Sequence, residues 1–132
     1  MLTDDEFERQ FTDGSLAEFP HVSHVRLAVI YLGRHEFPEA LARMSDGILR
    51  FATRKGATAK FHVTVTRAWL ELVAAARRCH PTAADAEALM AACPMLRDPQ
   101  ALLRFYSRDR LESAEARVGW VPPDRPIEVD RQ

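Results

Sequence analysis

The stretch from Phe19 to Leu32 constrains this chain more than any other. After Pro20 its strongly polar members are His21, Ser23, His24 and Arg26, and the remainder is apolar on nearly every side. A helix with that pattern is stable only when neighbours surround it. The rest of the chain must therefore supply elements that pack around it. Two histidines at the opening of a buried helix also need partners, because a polar atom buried without a hydrogen bond costs free energy.

The flanking sequence supplies the neighbours. Thr3-Asp-Asp-Glu6 fits a capping box and predicts a short helix through about Phe11, burying Phe7 and Phe11. A second helix is predicted from Pro20 to about Leu32, closed by Gly33. Pro38 suits the first turn of a third, whose Phe37, Leu41, Met44, Ile48 and Phe51 form one helical stripe. Gly47 lies inside that helix and implies close packing there. Residues 53–60 predict a loop. Phe61-His-Val-Thr-Val-Thr66 alternates like a strand, yet it runs straight into a strongly helical segment. A single fourth helix from about His62 to Arg78 is expected. His80-Pro81 stops it.

Thr82 is expected to cap a fifth helix to about Cys93. Asp98-Pro99 is expected to open a sixth through about Arg110, and Ser113 to cap one further turn to about Arg117. From Val118 onward the prolines 122, 123 and 126 exclude a helix and predict an extended tail anchored by Trp120. The expectation is an all-α fold: a compact bundle of about five to six helices in one domain over residues 1–117, with a Pro-rich tail over 118–132. Short connections make consecutive helices antiparallel neighbours.

Composition narrows the function classes. A hydrophobic share of 47% and a charged share of 28% describe a chain able to build a core. A net charge of -1 argues against a nucleic-acid protein with a large basic face. The longest apolar run is too short to span a membrane. The acidic start, Met-Leu-Thr-Asp-Asp-Glu, has no signal-peptide pattern, so a cytoplasmic setting is expected. Arg greatly outnumbers Lys, as in GC-rich bacterial proteins. Cys79 and Cys93 form no CxxC pair and read as packing thiols.

In an up-down bundle helices two and four run the same way, so His21, His24 and His62 open at one end. Two imidazoles at i,i+3 with a third from a neighbouring helix can ligate one divalent transition metal and leave an open position. His21, His24 and His62 are therefore candidate metal ligands, and Asp98 a minor carboxylate candidate. A metal-free pocket, with His62 or His24 as the catalytic base, is a second reading. Lys60, Thr66, Tyr106 and Arg110 are candidate contacts to an anionic small-molecule ligand, with Arg54 and Lys55 nearby. His35 and His80 read as exposed helix ends. The third reading is that His24 and His62 are hydrogen-bonded core residues of an interaction or regulatory module, whose tail docks on a partner or on a second copy in a homo-oligomer.

Three segments carry a resemblance: Pro20-His-Val-Ser-His-Val-Arg26, Phe61-His-Val-Thr-Val-Thr-Arg-Ala-Trp69, and the segment from Phe105-Tyr-Ser-Arg-Asp-Arg110 to Arg117. They resemble a group of small bacterial hypothetical proteins with His-x-x-His, Tyr-His-x-Thr-x-Thr-x-Ala-Trp and Tyr-Ser-Arg segments. Phe61 stands where that pattern has a tyrosine. The resemblance implies an all-α chain and these segments as the important ones, without an activity. The number of histidines and the bundle are also similar to DinB-like bundles, which hold a metal with three histidines.

Overall fold

A computed structural model describes residues 1–129; the last three residues of the expected tail, 130–132, lie outside them. Seven α-helices and no strand are found among the described residues: α1 (Asp4–Asp13), α2 (His21–Arg34), α3 (Phe37–Arg54), α4 (Val63–Cys79), α5 (Ala86–Ala92), α6 (Arg108–Leu111) and α7 (Ala114–Val118). Short 3-10 turns lie at 58–60, 94–97 and 101–104.

The long helices begin and end as their residues dictate. Thr3 caps α1, and the Glu6 carboxylate accepts the Thr3 amide in return, so the capping box forms. Pro38 sits in the first turn of α3. α2 is buried on several sides, through Val25, Leu27, Ala28, Ile30 and Tyr31. It packs against α1, α3, α4 and α5, the enclosure its apolar circumference demands. The bundle centre is Leu27 and Ala28 of α2, Ala40 and Met44 of α3, and Leu70, Leu72, Val73 and Ala76 of α4, all inaccessible to solvent.

Helix direction follows from what meets at each end. His24 near the start of α2, Phe51 near the end of α3 and Phe61 just before α4 line one recess. At the opposite end, Leu32 and His35 of the α2 terminus and Arg77 and Arg78 of the α4 terminus line a second cavity. There the Arg77 guanidinium donates to the Leu32 carbonyl at 2.8 Å. Helices α2 and α4 run the same way, with α3 antiparallel between them.

The C-terminal third departs from expectation. The fifth helix starts at Ala86, because Asp85 accepts the Ala88 amide and so outcompetes Thr82 as cap. The long sixth helix does not form. Asp98 accepts the Gln100 amide in a turn, and a 3-10 turn follows to Arg104. Ser107 then takes an extended backbone and caps the short α6 by accepting the Arg110 amide. Ser113 caps α7 as the sequence predicts, although α7 includes Val118. Residues 120–129 form no helix or strand.

Gly47 is held to glycine by contact. A Cβ at this position would stand 2.5 Å from Phe11 Cε2 and 2.9 Å from Phe11 Cζ. Phe11 is itself buried and stacked on Phe19 and Phe51 at ring separations of 5.1 and 5.8 Å. In an exposed helix, Gly→Ala stabilises by up to about 1 kcal/mol. Here overpacking, typically about 1–3 kcal/mol, outweighs that gain. Gly47→Ala should therefore lower Tm by several degrees in a thermal melt; an unchanged or raised Tm would show that Phe11 yields freely.

Candidate functional site

His62 is the N-cap of α4. Its Nδ1 accepts the Val65 amide at 3.1 Å and its Nε2 lies 2.9 Å from the Leu111 carbonyl. Accepting at Nδ1 and donating at Nε2 fixes one neutral tautomer. Burial pushes the pKa of His62 down and Arg117 adds to this, while the Leu111 hydrogen bond opposes it. Both ring nitrogens are thus committed to main chain.

The other residues expected beside His62 are committed in the same way. Thr66 donates back to the His62 carbonyl at 2.8 Å. Thr64, which helical phase alone turns away from His62, makes the long-range contact. Its hydroxyl donates to the Gly119 carbonyl at 2.7 Å and accepts the Val121 amide at 3.0 Å. Tyr106 donates to the Val121 carbonyl at 2.6 Å. Its phenol is pushed up to about 12, first by burial and then by nearby Glu71. Arg110 donates to the Pro122 carbonyl at 2.6 Å, with Asp124 at 3.9 Å. Arg67 stands over the Trp120 ring at 4.2 Å. Thr64 and Arg67 tie the C-terminal segment to α4, and Tyr106 and Arg110 tie it to the stretch around α6.

The expected three-histidine metal centre is not assembled. Nε2 of His21 lies 2.8 Å from the Leu96 carbonyl, and its ring packs edge-on against Trp69 at 4.5 Å. His62 has no nitrogen to spare. Asp98 is exposed and engaged in its own turn. Among the described residues no three His, Cys, Asp or Glu side chains are grouped to hold a metal ion. The donor set does not fit a metal as it stands, because main-chain groups hold Nε2 of His21 and both ring nitrogens of His62.

His24 behaves differently. Its Nε2 is buried and has no hydrogen-bond partner, the one such side-chain atom among the described residues. The ring meets Phe19 edge to face at 5.0 Å. Burial first, and the neighbouring His21 second, push its pKa down to about 4. The imidazole is therefore neutral at pH 7.

His24 lines a recess of about 360 Å³ between the start of α2, the end of α3 and the connector into α4. Phe19, Ile48, Phe51 and Phe61 supply its apolar wall. Exposed Glu18, Lys55 and Lys60 stand at its lip. Of the residues singled out from the sequence, the structure brings His24, Lys60 and the neighbouring Lys55 together here, leaves His62, Tyr106 and Arg110 to the C-terminal tie, and bonds Thr66 back to the His62 carbonyl. Sequence patterning did not mark Phe19, Phe51 and Phe61 as a binding wall, because aromatic residues at helical spacing signal core equally well. His35 and His80 are half-buried C-caps of α2 and α4 and line the cavity at the far end.

Two outcomes follow. Thr64→Val removes a buried hydroxyl but keeps its shape. It leaves the Gly119 carbonyl and the Val121 amide unpaired and should cost about 2 kcal/mol or more in chemical denaturation. A change under about 0.5 kcal/mol would show that water replaces the hydroxyl. The second outcome concerns pH. Folded His24 and His62 hold protons less tightly than the unfolded chain, whose histidines titrate near 6.5. Their contribution is complete above pH 6.5 and is lost as pH falls through each folded pKa; for His24 that point is about 4 and the loss at most about 3 kcal/mol. Stability measured across that window should fall less steeply for His24→Phe than for wild type, and parallel curves would disprove a buried neutral imidazole. Geometry is the guide to function, since no protein-family model, no curated protein and no solved structure matches this chain.

Proposed function

We propose that this chain is a small-molecule binding protein whose ligand enters the recess beside His24. The observation that carries this reading is the unpartnered Nε2 of His24 in a recess wall. A buried polar atom without a partner costs about 1–3 kcal/mol, and a Phe or Leu at that position would avoid the cost. A ligand oxygen or nitrogen that reaches Nε2 satisfies it. Any chemistry at this site uses His24 as a neutral acceptor or donor of one proton, since His62 is held by two main-chain partners. The reading keeps the cytoplasmic setting and bacterial origin expected from composition. It also keeps the resemblance of the His-x-x-His and His-x-Thr-x-Thr segments.

A second reading is a non-catalytic interaction module with purely structural histidines. It is favoured by the main-chain partners of His21 and His62. Trp120 counts against its tail docking elsewhere, because that ring already packs under Arg67.

A fragment screen read by the imidazole signals of His24 separates the two. On the binding reading, compounds that fill the recess shift the His24 resonances and raise Tm, and His24→Phe folds normally but loses the shift and most of the affinity. If no fragment perturbs His24, or the hits bind His24→Phe equally well, the module reading stands instead.

A further inference from the structure

We infer that the recess takes a small aromatic monocarboxylate, with its ring among Phe19, Phe51 and Phe61 and its carboxylate on Lys55 and Lys60. This rests on the small-molecule reading above, in which a polar ring atom or substituent of the ligand meets His24 Nε2, and adds the carboxylate-bearing ring as the chemical class.

The wall argues for a ring. Phe19 and Phe51 stand 5.4 Å apart, tilted by 46°, with Phe11 stacked behind both. This offset cluster offers ring faces and edges at the spacing that aromatic pairs prefer. A volume of about 360 Å³ is near the lower end for ligand sites and suits a ligand of one or two rings.

The lip argues for a single negative charge. The Lys55 ammonium lies 5.4 Å from the centre of the Phe51 ring, and its hydrogen bond is a long one of 3.5 Å to the Ala17 carbonyl. Among the described residues neither Lys55 nor Lys60 has a carboxylate within ion-pair distance. Two lysines and Glu18 leave the lip at +1, the complement of a monoanion. A phosphate would gain less here. α3 ends at the recess, so the partial charge of its terminus is negative, and the Val65 amide at the start of α4 is already donated to His62. An ammonium beside an aromatic face serves a carboxylate attached to a ring, because the charge and the ring are then satisfied side by side.

The test uses the full chain with benzoate, phenyl phosphate and benzyl alcohol as probes, followed by calorimetry and by the His24 imidazole signals. Lys55→Ala/Lys60→Ala is the variant, and both side chains are exposed, so the fold should hold. Benzoate should bind about tenfold tighter than benzyl alcohol at low salt, and the variant or added salt should erase that difference. Benzyl alcohol binding as tightly as benzoate overturns the anion while leaving a ligand recess in place. Phenyl phosphate binding more tightly than benzoate overturns the carboxylate. Benzoate binding that the double variant leaves unchanged, with His24 unperturbed, overturns the placement. If none of the three probes moves the His24 signals, the small-molecule reading falls with it.

Discussion

The first turn of α4 is the interaction on which the rest of the molecule depends. Two side chains there, His62 and Thr64, reach two separate C-terminal segments: Leu111 at the end of α6, and Gly119 with Val121 after α7. Each bond satisfies main chain that no regular element would otherwise serve. α6 and α7 are short, and helices of that length do not hold themselves in water. They persist because Ser107 and Ser113 cap them and because α4 offers polar anchors on a buried surface. Tyr106 and Arg110 complete the tie by donating to Val121 and Pro122. Buried polar networks of this kind hold a unique geometry when every member is satisfied.

Against that background the orphaned Nε2 of His24 stands out. The chain satisfies His21 and His62 within the bundle and leaves His24 short of a partner. Hydrophobic packing cannot explain the residue, because an imidazole offers less apolar area than Phe and buries a polar atom. Its neighbours are the ring of Phe19 and, behind it, Phe11 and Phe51. The same aromatic cluster therefore closes the α1–α3 contact at Gly47 and forms the wall of the recess. The Phe11 ring that fixes Gly47 and the Phe19 and Phe51 rings of the recess wall thus belong to one stacked group.

Much of the fold was legible in the sequence, and the reason is periodicity. α1 to α4 carry strong caps or long apolar stripes, so their existence and order followed from spacing, and their mutual direction from the short connections between them. The stretch after Cys93 was not legible in the same way. Asp98-Pro99 has the residues of a helix start, but Asp98 can equally close a turn on its own main chain, and tertiary contacts chose the turn. The site was legible in part. Placing His24 and Lys60 at the end where α2 and α4 begin needed only topology. Seeing that Thr64 reaches Gly119 while Thr66 bonds back to His62 needed the C-terminal segment in place, and helical phase pointed the other way. The metal expectation failed on a point that spacing cannot reveal. Imidazole nitrogens near helix ends compete for unsatisfied amides and carbonyls, and here the main chain holds Nε2 of His21 and both nitrogens of His62.

The recess and the C-terminal tie are neighbours in sequence, and that has a mechanical consequence. Phe61 and Lys60 form part of the recess, and the next residue, His62, bonds to Leu111. Arg117 of α7 donates to the Ala59 carbonyl at 2.8 Å and to the Phe61 carbonyl at 3.4 Å, so the connector that walls the recess is held from outside by the C-terminal region. Lys60 sits between the two carbonyls that Arg117 holds. A ligand that pulls Lys60 inward must move that connector against Arg117 or rotate the lysine alone. Rotating an exposed, flexible lysine costs little, whereas displacing the connector strains the Arg117, His62 and Thr64 contacts together. The connector is therefore held more firmly than the lysine side chain it carries. Among the described contacts, Arg117 joins α7 to the recess wall through this connector, and the His62 and Thr64 bonds brace the same connector from the first turn of α4.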